Sequence, residues 1–350
     1  MQHPKSPRIS LKLCALLFAA VTTLSCTDRG EMHLTLLVGA PSVSRLPYVI
    51  AYDQGLYKKY GLNVELRIRE PGPGGAIVRH TDIATKILRS LGIEELPPPD
   101  IVFNGLGPVF VQASQTVQAN AYSVAIASTD CVLRAHVIGR KGLTNLEQLK
   151  GQRLGVSSLG ATSGTHALVL AQRMGWDPVD DISIMEGAND DIALIRNNTL
   201  DAIIGYETAY AQALKEGFAI LADTREWNDI LAGNSARVRR GWLNDATNRE
   251  AARRFLKATV EGIALFHQRP EIAVRVMKEW YGFEDRDFAK NYYSRGAWIP
   301  RKPYPCREGL QRTAELYDSN AMRTLVPENF FDASFVRELD QSGFIDELYD

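Results

Sequence analysis

The chain has 350 residues, of which 45% are hydrophobic and 23% charged, and its formal net charge is −1. This length predicts two lobes with separate cores rather than one domain of typical size. The charge balance leaves no basic surface for nucleic acid or for an anionic membrane, so we expect neither to be recognised.

Residues 1–25 have the pattern of a secretory signal. Its charged region consists of Lys5, Arg8 and Lys12. The apolar run Leu13–Val21 follows and is too short to span a bilayer. The next segment, Thr23–Cys26, is similar to a bacterial lipobox, in which the cysteine is lipidated, although Thr23 stands where leucine is usual. Lipidation at Cys26 and plain cleavage nearby stay open, and both predict a location in the periplasm or at the cell surface.

No residue pattern in the sequence predicts a metal or a cofactor. The histidines have no metal-ligand spacing, and neither a P-loop nor a complete dinucleotide fingerprint is present. Outside the signal and the lipobox, the remaining cysteines are Cys131 and Cys306. In an oxidising compartment they could form a disulfide or remain two buried thiols, and the sequence leaves both open.

The N-terminal half alternates strands with helices. We predict strands at Glu31–Val38, Gly61–Ile68 and Asp100–Asn104, and helices from Pro47 to about Gly55 and from Ala76 to Leu91. Pro71–Gly75 is a turn cluster. Such an alternation favours an α/β fold.

A second α/β unit with a mostly parallel sheet is predicted downstream. Ala121–Ile138 is a β-rich run suited to crossing between lobes, and Thr144 with Glu147 predicts a capping box on a short helix. The strands of this unit are predicted at Leu154–Ser157, Ile182–Glu186, Leu200–Gly205 and Phe218–Asp223. We predict that residues 225–350 are helical, without a further strong strand.

The loop Ser158–Thr165 is the first candidate for ligand binding. It follows a strand and opens a helix that Gly175 ends. Ligands of open α/β sheets bind beyond the carboxyl ends of the strands, and a helix N-terminus there suits an anion. The alternative is an ordinary helix cap. Ser163 and His166 could be taken for a catalytic pair, but no third orienting group is evident.

The order of segments resembles the sulfonate/nitrate/taurine-type substrate-binding proteins of ABC importers, a family that includes thiamine-pyrimidine-precursor binders. The resemblance covers nearly all of residues 32–345. Its most specific pieces are Ala51–Val64, Asn145–Val156, Ala193–Ala202 with Tyr206 and Glu207, and Phe331–Leu339 with Ser342 and Gly343.

The resemblance implies a type II periplasmic binding fold with two α/β lobes, a hinge and an interlobe cleft. Lobe 1 would combine 32–125 with 225–350, lobe 2 would span 130–220, and the hinge would lie near Ser128 and Ala222. The implied partners are a small-molecule ligand and a permease–ATPase complex, with a lipid anchor at Cys26. We expect a monomer.

Carried onto this sequence, the family's cleft implies a set of ligand-binding residues. They are Ser42, Ser44, Arg45, Asn104, Gly105, Ser128, Ser158, Thr162, Ser163, Gly164, Tyr206 and Glu207. For several of them a structural role is open: Ser44 as a helix cap, Arg45 as a solvated side chain and Glu207 as a partner of a helix dipole. For Trp298 we favour a core position.

The expected function is delivery of a small organic solute or anion, of sulfonate, nitrate, taurine or pyrimidine type, to an importer. Helix N-termini and Arg45 favour an anion, whereas Glu207 favours an amine or a neutral heterocycle, and the sequence does not decide between them. The alternatives are a ligand-sensing or docking lipoprotein and, with less support, an enzyme on the same fold.

Overall fold

The computed structural model describes residues 30–39, 41–69, 77–79, 98–115, 123–132, 134–188, 190–283, 285–294, 296 and 298–350. The signal segment 1–25, Cys26 and the turn cluster Pro71–Gly75 lie outside the described residues. The same holds for most of the helix predicted from Ala76 to Leu91.

The described strands, in chain order, belong to two sheets. They are β1 (Met32–Val38), β2 (Leu62–Arg69), β3 (Ile77–Arg79), β4 (Ile101–Gly105), β5 (Val124–Ser128), β6 (His136–Gly139), β7 (Arg153–Gly155), β8 (Ser183–Met185), β9 (Ala202–Gly205), β10 (Ala219–Asp223) and β11 (Asn234–Val238).

The described α-helices flank these sheets. They are α1 (Leu46–Asp53), α2 (Leu56–Lys59), α3 (Leu106–Gln115), α4 (Thr162–Met174), α5 (Ala193–Arg196), α6 (Glu207–Glu216), α7 (Ala246–Gln268), α8 (Pro270–Tyr281), α9 (Arg286–Ser294), α10 (Arg307–Leu316), α11 (Asn320–Arg323), α12 (Ser334–Gln341) and α13 (Phe344–Glu347). Short 3-10 helices lie at Val43–Arg45, Glu147–Leu149, Thr224–Trp227, Arg240–Asn244 and Pro327–Phe330.

The first sheet has the strand order β3-β2-β1-β4-β11-β5. Strand β1 runs parallel to β2 and β4, as expected for strands joined by helical crossovers. Strand β11 is antiparallel to both β4 and β5. Its register pairs Ser235 with Asn104 and Asn234 with Gly105, which brings two asparagines to the same edge of the sheet.

The second sheet has the strand order β10-β6-β9-β7-β8. Strand β7 is parallel to β8 and β9, whereas β6 is antiparallel to β9 and β10. The sheet is therefore mixed rather than mostly parallel. The reason is that β6 enters from the first sheet and β10 returns towards it, so neither is joined to its neighbour by a simple helical crossover.

Local sequence signals explain where the helices near the cavity begin and end. Pro47 lies in the first turn of α1, where its missing N–H costs no hydrogen bond. Helices α4 and α6 end at Gly175 and Gly217, whose φ angles of 67° and 73° lie in the left-handed region that glycine adopts without strain. These boundaries leave the N-termini of both helices beside strand ends.

Two predictions for individual elements are wrong. Asn234–Val238, within the segment predicted to be helical, is the strand β11 in the middle of the first sheet. The backbone at Ile77–Arg79, near the start of a predicted helix, is the edge strand β3 paired with β2. The predicted capping box also differs, since the Thr144 N–H donates to Gln148 Oε1 at 2.7 Å.

Two chain segments connect the sheets. One lies between β5 and β6, at 129–135, and the other between β10 and β11, at 224–233. A disulfide joins Cys131 in the first connection to Cys306, the residue before α10. Of the two alternatives that the sequence leaves open, the structure has the disulfide. The division into two lobes that move relative to each other stays a prediction.

The largest hydrophobic core lies between the first sheet and helices α1, α7 and α8. At its centre, Tyr48 stacks on Phe103 with ring centroids 3.8 Å apart, and Phe255 of α7 adjoins both rings. Separate clusters cover the second sheet. Among the helices in the described part of the chain, none combines the length and the apolar character needed to cross a membrane.

Candidate functional site

A cavity of about 390 Å³ is lined by residues from both sheets and from the segments that connect them. Nine of the twelve residues that the resemblance implies line this cavity: Ser42, Ser44, Arg45, Asn104, Gly105, Thr162, Ser163, Tyr206 and Glu207. The two walls approach each other closely, since a Cβ at Gly105 would lie 2.7 Å from Thr162 Oγ1. Glycine at this position therefore allows the loop after β4 to meet the start of α4.

Arg45 forms one wall with two asparagines. Its Nε and Nη2 donate to Asn234 Oδ1 at 3.0 and 2.7 Å, and Nη2 lies 3.5 Å from Asn104 Oδ1. Burial lowers the pKa of the Arg45 guanidinium, while Tyr281 and Glu207 act in the opposite direction. The side chain is thus partly desolvated and held by neutral amide oxygens, so an anionic group of a ligand would offset its desolvation.

A hydrogen bond crosses the cavity between two helix starts. Ser42 Oγ donates to Glu207 Oε1 at 3.0 Å, and the Val43 N–H donates to the same oxygen at 3.3 Å. Ser42 lies before the first turn that leads into α1, and Glu207 is the first residue of α6. The carboxylate of Glu207, in the helix that follows β9 of the second sheet, therefore caps the helix start at Val43, which leads into α1 beside the first sheet.

Asp130 and Arg134 form an ion pair within the connection between β5 and β6. Both side chains are largely buried, at 9% and 11% exposure. The Arg134 guanidinium also stacks over the ring of Trp298, and all three residues line the cavity. Trp298 thus both packs against the main core, as predicted, and lines the cavity.

His166 is fixed in its neutral form. Its Nε2 accepts a hydrogen bond from the Arg134 backbone N–H at 3.1 Å, and its Nδ1 lies 2.7 Å from the carbonyl oxygen of Thr162, to which it donates. Burial, with a smaller effect from the Arg134 charge, lowers the pKa of His166 to about 4. Both ring nitrogens are engaged, so His166 braces α4 against the connecting segment rather than acting as a base.

Ser163 is held by a different contact. It is buried, and its Oγ accepts a hydrogen bond from the Ser157 N–H at 2.9 Å. Ser163 and His166 therefore each have separate partners, and the geometry gives no support to the catalytic pair that their spacing suggests.

Asp190 and Tyr206 line the cavity from the second sheet, where they follow β8 and β9. Asp190 Oδ1 accepts a hydrogen bond from the Tyr206 N–H at 2.7 Å. Burial raises the pKa of the Asp190 carboxyl to about 7, and the nearby charge of Glu207 adds to this. The backbone of Asp190 has φ 69°, in the left-handed region that non-glycine residues rarely adopt. The Tyr206 hydroxyl is buried and has no hydrogen-bond partner among the described residues.

Three of the implied residues, Ser128, Ser158 and Gly164, do not line the cavity. Ser128 is buried in the first sheet, where its Oγ lies 2.6 Å from Ser235 Oγ on the paired strand. At Gly164 a Cβ would collide with the carbonyl oxygens of Leu159 and Ser158. Glycine at position 164 thus allows the start of α4 to pack closely against the backbone of Ser158 and Leu159.

Several cavity residues were not identified from the sequence. They are Arg69, Asp130, Arg134, His166, Asp190 and Asn234. Asn234 was missed because β11 was not predicted. Asp130 and Arg134 were missed because they lie in a β-rich segment, in which no residue pattern distinguishes polar residues that bind a ligand from those that do not. A usable signal existed for Asp190, since it lies shortly after β8 and ligands of open α/β sheets bind beyond the carboxyl ends of the strands.

A group of possible metal ligands elsewhere is formed by Cys131, Cys306 and Glu308. The two sulfurs are joined in the disulfide, so neither is available as a thiolate ligand. This group therefore supports no metal site.

Comparison with known proteins identifies the fold. No family model matches the chain, and no curated protein matches it. Among solved structures, it is similar to the periplasmic nitrate-binding protein NrtA from Synechocystis PCC 6803, with a TM-score of 0.69 and 15% identity over 90% of this chain and 89% of that one. It is also similar to the ligand-binding component of an ABC-type import system from Staphylococcus aureus with zinc bound, with a TM-score of 0.67 and 14% identity over 88% and 99% of the two chains.

A third similar structure is the periplasmic aliphatic sulphonate-binding protein SsuA from Escherichia coli, with a TM-score of 0.60 and 18% identity over 85% of this chain and 95% of that one. At these identities the likeness establishes the fold alone. It confirms the predicted fold class, an α/β periplasmic binding protein fold in which two mixed sheets carry flanking helices.

Proposed function

We propose that this protein is the extracytoplasmic solute-binding component of an ABC importer, and that it binds a small organic solute or anion without changing it chemically. The observation that carries the proposal is the cavity of about 390 Å³ lined from both sheets. Its volume suits a small molecule, and charged, amide, hydroxyl and aromatic groups converge on it. The fold agrees with this role, because similar chains include a periplasmic nitrate-binding protein, a periplasmic aliphatic sulphonate-binding protein and the ligand-binding component of an ABC-type import system.

Within this proposal the ligand-binding residues are the nine implied residues that line the cavity, with Asp130, Arg134, Asp190, Asn234 and Trp298 in addition. The two lobes would be 32–125 with 225–350 and 130–220, joined at the two connecting segments. A monomer tethered by lipid at Cys26 would present its ligand to a permease–ATPase complex.

A binding role fits the cavity better than an enzymatic one. His166 is held neutral between two backbone groups, and Ser163 Oγ is engaged by a backbone N–H. The acids and arginines of the walls can hold a ligand, and among the described side chains that line the cavity we identify no serine in contact with a histidine. A sensing or docking lipoprotein would use the same cavity and would differ in its partner protein.

A thermal-shift screen of the soluble protein tests this function. The panel should contain small anions, amines and pyrimidines, because the cavity has partners for each. A ligand that binds only the folded protein raises the melting temperature by mass action. We expect a saturable rise with at least one compound and no rise with the same compound for Arg45→Gln. If compounds of all three classes leave the melting temperature unchanged, a small-solute role is contradicted.

A further inference from the structure

Helix α10 packs against helices that follow strands of both sheets. On one side, Leu310 is buried in a cluster with Phe110 of α3, the helix after β4. On the other side, Leu316 packs with Val169 of α4, the helix that follows β7. Among the described residues that line the cavity, none belongs to α10. The helix therefore joins the two sides of the molecule by a contact that is separate from the cavity walls.

The start of α10 is fixed to both segments that connect the sheets. Cys306, the residue before the helix, forms the disulfide with Cys131 of the first connection. A Cβ at Gly309 would lie 2.2 Å from the backbone nitrogen of Ala232 in the second connection. Glycine therefore allows the first turn of α10 to touch this backbone directly. A rotation of one sheet relative to the other about these connections would leave the start of α10 in place.

The far end of α10 is bonded to the loop Ser158–Thr165. The Tyr317 hydroxyl donates a hydrogen bond to the Leu159 carbonyl oxygen and lies 3.2 Å from Thr165 Oγ1. Residues of the same loop line the cavity. Tyr317 follows Cys306 by eleven residues, which corresponds to roughly 16 Å along a helix. The contact at Tyr317 therefore lies well away from the segments about which the sheets would rotate.

Polar side chains link the middle of α10 to α4. Arg312 Nη2 donates to Gln172 Oε1 of α4 at 2.5 Å, and Arg312 Nε lies 3.5 Å from Asp229 Oδ1 in the second connection. Along α10 the partners on α4 come in reverse order, from Gln172 through Val169 to Thr165. The two helices thus lie antiparallel along each other over this length.

We infer that α10 is a clasp that favours the closed arrangement, the one in which hydrogen bonds cross the cavity from Ser42 and Val43 to Glu207, before any ligand binds. The bond at Tyr317 breaks when the cavity opens, whereas the disulfide and the packing at Gly309 persist. A contact that is made in one of two states and lost in the other shifts their populations towards the first. This inference rests on the proposed motion of two lobes and is independent of the chemistry of the ligand.

Small-angle scattering of the ligand-free protein tests the clasp. Tyr317→Phe removes the hydroxyl that bonds to Leu159 and keeps the ring. Loss of one neutral hydrogen bond should lower the ratio of closed to open molecules roughly two- to tenfold, so we expect a larger radius of gyration for the variant than for the wild type.

Tyr304→Phe is the matched control. The Tyr304 hydroxyl donates to Asp340 Oδ2 at 2.7 Å, and both residues belong to the predicted lobe 1. The control therefore loses a hydrogen bond of the same kind within one lobe and should keep the wild-type radius of gyration. Thermal melts check that both variants are folded.

The disulfide provides a second arm. Cys131→Ser/Cys306→Ser frees the start of α10, so the ligand-free radius of gyration of this double variant should also exceed that of the wild type. An unchanged radius in Tyr317→Phe overturns the clasp, and an unchanged radius in the double variant overturns its anchoring by the disulfide. Both results differ from failure of the proposed function, because scattering of the ligand-free protein involves no solute, whereas that function is contradicted by the thermal-shift screen.

Discussion

At the scale of single residues, Asp190 makes a prediction about pH. Its carboxyl has a pKa of about 7 in the folded protein, against 3.8 for the ordinary group. Between about pH 4 and pH 7 the folded protein therefore binds a proton at Asp190 that the unfolded chain has released, so the free energy of unfolding falls as pH rises through this range. Ionisation of Asp190 across this range lowers the free energy of unfolding by on the order of 2–4 kcal/mol.

Denaturant unfolding of the wild type and of Asp190→Asn from pH 4 to pH 8 measures this contribution. Other groups titrate in the same window, so the difference between the two proteins is the informative quantity. We expect the variant to gain stability relative to the wild type as pH rises, because asparagine cannot ionise. If the free energies of unfolding of the two proteins change in parallel with pH, Asp190 does not have a raised pKa in the folded protein.

The same carboxyl should couple ligand binding to pH. A cationic ligand group beside Asp190 favours the ionised carboxylate, so the affinity for a ligand with such a group should rise from pH 6 to pH 8. His166 does not contribute, because its pKa of about 4 keeps it neutral throughout. Calorimetry at three pH values checks this, and an equally steep rise in Asp190→Asn would assign the effect to another group.

Gly164 makes a prediction about packing rather than affinity. A methyl group at this position would collide with the carbonyl oxygens of Leu159 and Ser158, so Gly164→Ala should cost about 1–3 kcal/mol of stability. Gly160→Ala is the matched control in the same loop, since its Cβ would meet Val111 Cγ1 at an ordinary 3.6 Å. Equal stabilities of the two variants, measured by denaturant unfolding, would contradict the packing of this loop.

The cavity residues that sequence reasoning found share one property. Ser42, Thr162 and Glu207 lie at or near helix starts that follow strands, where local pattern and fold rules agree. Asp130, Arg134 and Asn234 reach the cavity through long-range pairing of β5, β6 and β11, and no local pattern records that pairing. Family resemblance also implied Ser128, Ser158 and Gly164, and these three residues do not line the cavity.

At the scale of elements, most strands and helices lie where hydrophobic periodicity and capping signals predict them. Strand β11 was missed because it lies between segments with helical composition. Its strand conformation depends on hydrogen bonds to β4 and β5, which are distant in sequence. The mixed second sheet was missed for a related reason, since strand direction depends on how the connections run.

The disulfide is the element-scale feature most open to experiment. It closes a sequence separation of 175 residues between the first connecting segment and α10. The double variant Cys131→Ser/Cys306→Ser should lose about 2–4 kcal/mol of stability, because the unfolded chain regains conformational freedom. Reductant should lower the stability of the wild type to that of the double variant and leave the stability of the double variant unchanged. If reductant does not change the stability of the wild type in denaturant unfolding, the disulfide does not stabilise the protein.

At the scale of the whole molecule, two connecting segments make hinge motion the expected response to a ligand. The hydrogen bonds from Ser42 and Val43 to Glu207 cross the cavity and must break when it opens. Small-angle scattering should therefore give a smaller radius of gyration with a saturating ligand than without one. An unchanged radius of gyration at saturation would contradict the predicted hinge motion, but it would not contradict ligand binding.

We propose that one small solute binds between the two sheets, in contact with both. A crystal structure of the protein with a compound that raises its melting temperature tests this most directly. We predict ligand density in the cavity, with one polar group at Arg45 and another at Asp190 or Glu207. Density for the compound at any other place, or an empty cavity in crystals grown with saturating compound, would contradict binding between the sheets.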